Sequence, residues 1–410
     1  MLTHTVSEKT QYYLQLEDQY GAHNYHPIPV VLEKGEGVFV WDVDGKKYFD
    51  FLSGYSAINQ GHCHPRIINA LVQQAQKLTL TSRAFYSNML GEYEKFITGL
   101  FGYDKVLPMN SGAEGVETAI KLCRRWGYDK KGIADGEAKI IVCSKNFHGR
   151  TTTIISFSSD PASYTRFGPL TTGFVMVEYN DIDALQKALE DKTVAGFLVE
   201  PIQGEAGVVV PDDGYLSKAK QLCEAYNVLF IGDEIQTGLA RTGRMLACDH
   251  ENVRPDILIL GKALSGGTMP VAAVLADDDI MMNIKPGEHG STYGGNPLAC
   301  AVAVESLKVL QEEGMTENAA AMGEVFRQGL KDLDSPFIKT VRGKGLLNAI
   351  VINHPNSEAA WELCLALKEN GLLAKPTHGD KIRFAPPLVI TKEQVEEAIA
   401  IIGESLKTLG

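Results

Sequence analysis

Val228-Leu229-Phe230-Ile231-Gly232-Asp233-Glu234 and Ile257-Leu258-Ile259-Leu260-Gly261-Lys262 are two short apolar runs that each close on charge. Successive β-branched residues and leucines in both predict strands covered on two faces. Lys139–Cys143, Gly196–Glu200 and Val271–Leu275 have the same character. Between and around them Glu114–Trp126, Ile182–Leu189, Tyr215–Tyr226 and Pro297–Gln311 carry the helical period. Strand–helix alternation of this kind predicts an α/β fold, a mostly parallel sheet flanked by helices. The pattern changes after about Gly314. Arg342–Val351 and Lys381–Ile390 read as strands, and Glu358–Asn370 and Thr391–Leu409 as helices, Thr391 and Gln394 standing in capping-box spacing. Residues 314–410 are therefore expected to form a smaller α+β domain and 51–313 a large one. Residues 1–50 would pack with the small domain, Gly35–Asp50 forming a hairpin with Asp44-Gly45 at its turn.

Thirty-nine basic against 51 acidic side chains give a net charge of −12, which argues against a nucleic-acid partner. The seven cysteines are scattered, odd in number and never spaced as CxxC, so reduced thiols and a cytoplasmic location are expected. His62-Cys63-His64 lacks a second ligand cluster and reads as turn or packing, so no metal is expected. Met1–Tyr20 has neither arginine nor an apolar core, and so reads as neither signal nor transit peptide. The most apolar window, Ile257–Ala276, is broken by Lys262, Ser265-Gly266-Gly267 and Pro270; it predicts two strands around a turn rather than a membrane span.

Open parallel sheets bind ligands beyond the carboxyl ends of their strands. Glu200, Asp233, Glu234 and Lys262 all fall at such ends, where any one carboxylate alone could equally be a cap. Ser111 opens a helix in Asn110-Ser111-Gly112-Ala113-Glu114, a terminus suited to an anion or simply to a cap. Gly290-Ser291-Thr292-Tyr293-Gly294-Gly295 could be a plain loop or a second set of phosphate donors. A lysine on a pocket floor, a buried aspartate and phosphate-holding helix ends are the parts that pyridoxal 5'-phosphate chemistry requires. A partly desolvated amine condenses with the cofactor's aldehyde, and the aspartate keeps the pyridine nitrogen protonated.

Together these segments resemble the class III aminotransferases of fold type I, over about Tyr20 to the C-terminus. The resemblance is carried by Gly21-Ala22-His23-Asn24-Tyr25-His26-Pro27, Asn146-Phe147-His148-Gly149-Arg150 and Pro201-Ile202-Gln203-Gly204-Glu205. It continues in Gly232-Asp233-Glu234-Ile235-Gln236-Thr237-Gly238, Gly261-Lys262-Ala263-Leu264, Ser291-Thr292-Tyr293-Gly294-Gly295 and Leu372-Leu373-Ala374-Lys375-Pro376. By position it implies that Lys262 bonds to the cofactor and then moves the proton, that Asp233 binds the pyridine nitrogen, and that Gln236 binds the ring hydroxyl. Phe147 would stack on the ring and Glu200 support the site. Ser111, Gly112 and Ala113 would hold the phosphate, joined by Ser291 and Thr292 of a partner subunit, since family sites lie at a homodimer interface. Relatives often carry tryptophan where His148 follows Phe147, which bears on the shape of the pocket wall.

The match is with family members that transfer the terminal amine of ornithine to 2-oxoglutarate. There Tyr25 and Tyr55 would contact substrate and Arg150 its carboxylate, while Glu205 covers Arg383 in one half-reaction and swings off it in the other. Without the family, Tyr25 is a packed aromatic and Glu205–Arg383 a structural ion pair. N-acetylornithine and 4-aminobutyrate are the rival substrates. A non-catalytic binding protein is the rival from another class, disfavoured by Lys262, Asp233 and Gln236 occurring together.

Overall fold

The computed structural model describes residues 6–410; the first five residues of the Met1–Tyr20 stretch lie outside it. Residues Glu8–Tyr20 form a helix, and among the described residues no helix is long and apolar enough to cross a membrane. The strands, in chain order, are β1 Leu32–Glu36, β2 Phe39–Asp42, β3 Lys47–Asp50, β4 Lys105–Met109, β5 Lys139–Cys143, β6 Phe174–Val177, β7 Val194–Val199, β8 Leu229–Asp233, β9 Ile257–Leu260 and β10 Ala272–Ala276. Five more follow: β11 Ile338–Lys344, β12 Leu347–Ile352, β13 Leu372–Leu373, β14 Lys375–Thr377 and β15 Lys381–Phe384.

Seven of these make the central sheet, in the order β4-β10-β9-β8-β7-β5-β6. All its pairs are parallel except the two made by β10. β10 is antiparallel to both neighbours, so β4 runs in the same sense as β9. The carboxyl ends of β4, β5, β7, β8 and β9 therefore share one edge. Every residue of β7, β8, β9 and β10 is buried, as their unbroken apolar runs require. The Ile257–Ala276 window is the β9–β10 antiparallel pair.

Two expectations needed correction. Arg342–Val351 is not one strand but the inner part of a hairpin, β11 and β12 paired antiparallel around Gly345-Leu346. Gly345 takes φ +55 and a Cβ there would meet the Thr242 carbonyl carbon at 2.3 Å, so the turn needs glycine. Lys381–Ile390 is strand only as far as Phe384, because Pro386 and Pro387 cannot donate to a ladder. β4, β6, β13 and β14 lie outside the strands that the sequence predicts.

The β12–β15 pairing sets Arg383 opposite Ala349, and β13 adds in parallel to β3, so the C-terminal chain completes the N-terminal sheet. Helix Gly112–Trp126 lies on the central sheet through Gly115, where an added Cβ would stand 2.9 Å from Ile259 Cγ2. Gly115→Val is expected to cost about 1–3 kcal/mol through overpacking. Denaturant titration reads it, and an unchanged midpoint would contradict the contact.

Candidate active site

At the shared edge a cavity of about 200 Å³ is bounded by Gly112, Phe147, His148, Glu200, Asp233 and Lys262, with Glu205 and Gln236 on its rim. Asp233 ends β8 with its carboxylate almost wholly buried. Its Oδ2 lies 2.6 Å from His148 Nδ1, and its Oδ1 accepts from the Ile235 N–H at 3.1 Å. His148 is also buried, and its Nε2 has no partner. Glu200, one strand over, accepts from the Phe147 N–H at 2.8 Å. Burial, and then repulsion from Asp233, push the Glu200 carboxyl up to about 7, against the pull of His148. Glu234 points the other way: it takes the Thr237 hydroxyl and, at 2.8 Å, the Cys248 N–H. Of the two acids that close β8, only Asp233 reaches the cavity.

Lys262 follows β9 at φ +43, a strained position for a residue with a Cβ. Burial holds its amine below the ordinary lysine value, with Asp233 pulling the other way and Arg383 adding to the depression. Ser111 caps its helix in a full capping box: Glu114 N donates to Ser111 Oγ at 3.2 Å, and Glu114 Oε2 takes Asn110 N and Ser111 N at 2.7 and 3.2 Å. This leaves the N–H groups of Gly112 and Ala113 unpaired at the cavity wall. The Ser111-to-Glu114 spacing is the sequence signature of this box.

Arg383 is 2% exposed. Its Nη1 donates to Glu205 Oε2 at 3.1 Å and reaches Gln236 Oε1 at 3.5 Å, and its guanidinium lies 5.0 Å from the Tyr55 ring centre. Thr377 Oγ1 holds the Glu205 carbonyl at 2.7 Å and its Oε1 at 3.3 Å. A Cβ on Gly204 would fall 1.4 Å from Gln236 Oε1, so this glycine makes room for a side chain. Tyr25 and Tyr55 line an adjoining cavity with Lys375, whose ammonium stands 5.8 Å from the Tyr25 ring centre. Tyr25 and Arg150 are exposed, Arg150 lying 5.7 Å from the Phe147 ring centre. Ser291 contacts Asn110, while Thr292 and the Ser111 side of the cradle open to the surface.

The residues fit pyridoxal phosphate on their own chemistry. Two unpaired helix N–H groups suit a phosphate, a buried carboxylate suits a pyridinium, and an amine of lowered basicity suits an aldehyde. The family model for class III aminotransferases matches residues 20–406. The chain belongs to the class III aminotransferases. It is 64% identical to the mitochondrial ornithine aminotransferase of Drosophila melanogaster, over 96% of this chain and 91% of that one. With the mitochondrial ornithine aminotransferase of Rattus norvegicus it shares 61%, over 97% and 90%. A solved ornithine aminotransferase of Toxoplasma gondii, described with pyridoxal phosphate partly occupying its active site, superposes with a TM-score of 0.95 at 50% identity, covering 98% and 94%. An acetylornithine aminotransferase of Elizabethkingia anophelis superposes at 0.90 with 59% identity, covering 97% and 99%. As a class III aminotransferase the protein uses pyridoxal phosphate.

Burial raises Glu234 to about 7 as well as Glu200. A carboxyl raised from 4.5 favours the folded state fully below 4.5, and that contribution is lost as pH climbs through 7. Glu200→Gln should remove one proton's share of this slope, about 1.4 kcal/mol per pH unit, from the cofactor-free protein. Stability curves between pH 4.5 and 7 check it; identical slopes would contradict the assignment.

Proposed function

We propose that the protein transfers the δ-amino group of L-ornithine to 2-oxoglutarate, giving glutamate 5-semialdehyde and L-glutamate. The observation that carries this reading is the pairing of buried Arg383 with half-buried Glu205, joined at 3.1 Å on the cavity rim. The names of the Drosophila and rat relatives support the same substrate. When bound, pyridoxal phosphate supplies an aldehyde for the amine and a ring that accepts electrons from the substrate carbon.

Lys262 would move the proton at the reacting substrate carbon, a task suited to its lowered basicity. Asp233, oriented by His148, keeps a proton on the pyridine nitrogen. Gly112, Ala113 and Ser111 hold the phosphate, with Ser291 and Thr292 reaching it from a second copy. Phe147 covers the ring face, Gln236 meets its hydroxyl and Glu200 fixes the Phe147 backbone. With ornithine, Glu205 covers Arg383, so the α-carboxylate is turned outward to Arg150 and Tyr25 and Tyr55 line the path. With 2-oxoglutarate, Glu205 moves off, Arg383 binds the α-carboxylate and Arg150 the distal one.

A homodimer is supported by what this copy leaves open beside the cradle: Ser111, Thr292 and Tyr293 are exposed, as are Phe85 and Tyr86. Seven free thiols suit a reducing compartment. We place the protein in the cytoplasm, to be checked by cell fractionation, although the Drosophila and rat relatives are mitochondrial by name.

The second reading, N-acetylornithine, is favoured by the likeness to the Elizabethkingia structure. An acetylated α-amine gives Tyr25 less to bind, and 4-aminobutyrate has none. Tyr25→Phe should therefore reduce kcat/KM for ornithine at least about tenfold, the loss of one hydrogen bond to a charged group, and leave 4-aminobutyrate nearly unchanged. Equal losses with both amines would remove Tyr25 from substrate choice.

A further inference from the structure

The loop that carries Ser291 and Thr292 is moored to the helix Gly112–Trp126 through His289 and its neighbour Glu288. His289 Nε2 lies 2.8 Å from Thr118 Oγ1, and its Nδ1 lies 3.0 Å from Lys121 Nζ. Thr118 Oγ1 gives its own proton to the Glu114 carbonyl at 2.7 Å, so toward His289 it accepts. An ammonium only donates, so Nδ1 must accept. The two partners thus select one tautomer, neutral with the proton on Nε2. Lys121 Nζ also donates to the Glu288 carbonyl at 3.0 Å, and Arg125 Nη1 stands 3.2 Å from Glu288 Oε1.

The mooring has a consequence at the far end of the loop. Ser291 Oγ accepts from Asn110 Nδ2 at 2.8 Å and from the Gly294 N–H at 3.1 Å. With both acceptor sites filled, its own proton is left to donate to an anion. One helix therefore presents the Gly112 and Ala113 N–H groups at its start and fixes the loop of hydroxyl donors from Thr118 and Lys121 further along.

We propose that His289 is a positioning residue for the cofactor phosphate of the second copy: locked as the neutral Nε2–H tautomer between Thr118 and Lys121 of its own chain, it holds the 287–295 loop so that Ser291 and Thr292 can donate to the phosphate across the interface. This rests on the phosphate role given to Ser291 and Thr292 above. The mooring is also sensitive to acid. The groups facing His289 are Lys121, Thr118 and Glu114 on the helix and Glu288 on its own loop. Burial, and then Lys121, pull the imidazole below its ordinary value, with Glu114 opposing. A depressed histidine favours the moored state at pH above the ordinary imidazole value and loses that contribution as pH falls from there through the depressed value. Protonation puts an N–H on Nδ1 against the Lys121 ammonium.

The test is release of pyridoxal phosphate from the holoenzyme on dilution, followed by loss of its visible band between pH 5 and 8. His289→Leu should release it at least about tenfold faster than wild type at pH 7.5, equivalent to about 1.4 kcal/mol. Re-uptake of pyridoxal, which lacks the phosphate, should match wild type, a selectivity that a merely structural role would not produce. His289→Gln keeps an amide N–H toward Thr118 and cannot titrate. It should restore slow release and abolish the acid acceleration seen in wild type. Lys121→Met removes the cation that depresses the imidazole and that a protonated Nδ1 would face, so the acid acceleration should shrink. Wild-type release from a well-folded His289→Leu protein overturns the proposal; so does equal loss of pyridoxal and pyridoxal phosphate. If His289→Leu does not fold, an acid acceleration that persists unchanged in both His289→Gln and Lys121→Met overturns it. A wild-type protein that never takes up pyridoxal phosphate would instead sink the cofactor reading.

Discussion

Arg383 is a guanidinium set into the wall of the active site with one carboxylate, Glu205, to balance it. Arg383 is buried while Glu205 is half-exposed, so a Glu205 that moves away leaves a buried cation uncompensated, a cost that another anion offsets. That cost makes the pair a selector rather than a brace. A substrate bringing an α-carboxylate to this point displaces Glu205, and one brought in by its terminal amine leaves the pair closed. Arg241 supplies the contrast within the same molecule. It too is fully buried, but Asn59, the Leu346 carbonyl and the Pro386 carbonyl satisfy its nitrogens. Arg241 fastens the β11–β12 turn, whereas Arg383 keeps an unpartnered Nε.

The fold brings the selector to the chemistry from a distance in sequence. Asp233 and Lys262 end neighbouring strands of a sheet buried on both faces. Arg383 comes from β15, held in place by β12. Glu205 and Gln236 stand between the two parts, with Gly204 leaving the space that Gln236 fills. Movement of Glu205 need not disturb its backbone, because Thr377 Oγ1 and the Arg342 guanidinium hold the carbonyls of Glu205 and Gly207 at 2.7 Å each.

Much of this was legible in the sequence, for a physical reason. Strands buried on both faces have unbroken apolar runs, so their ends, and with them Glu200, Asp233 and Lys262, could be located to within a residue or two. Amphipathic helices such as Ile182–Leu189 declared themselves by period. What stayed hidden depends on contacts between distant residues. Nothing local to His148 says that it meets Asp233, 85 residues away. Nothing near Arg241 marks it as buried, and Thr377 gives no sign that it restrains Glu205. Glycine-rich hairpins and proline-broken strands were read too long because apolar content outlasts the ladder. Roles for Tyr25, Tyr55, Arg150, Ser291 and Thr292 came from the family resemblance, since exposed residues carry no burial pattern.

The closed Glu205–Arg383 pair turns the α-carboxylate outward so that the terminal amine reacts, and Tyr25 favours a substrate that keeps a free α-amine. The most direct measurement is a panel of single half-reactions on the pyridoxal phosphate-loaded protein. Loss of its visible band would be followed with ornithine, N-acetylornithine, 4-aminobutyrate, lysine and glutamate. The account predicts the highest specificity for ornithine among the amine donors, glutamate reacting as the reverse of the second half-reaction, and N-acetylornithine and 4-aminobutyrate far behind. N-acetylornithine reacting as well as ornithine, or better, would contradict it.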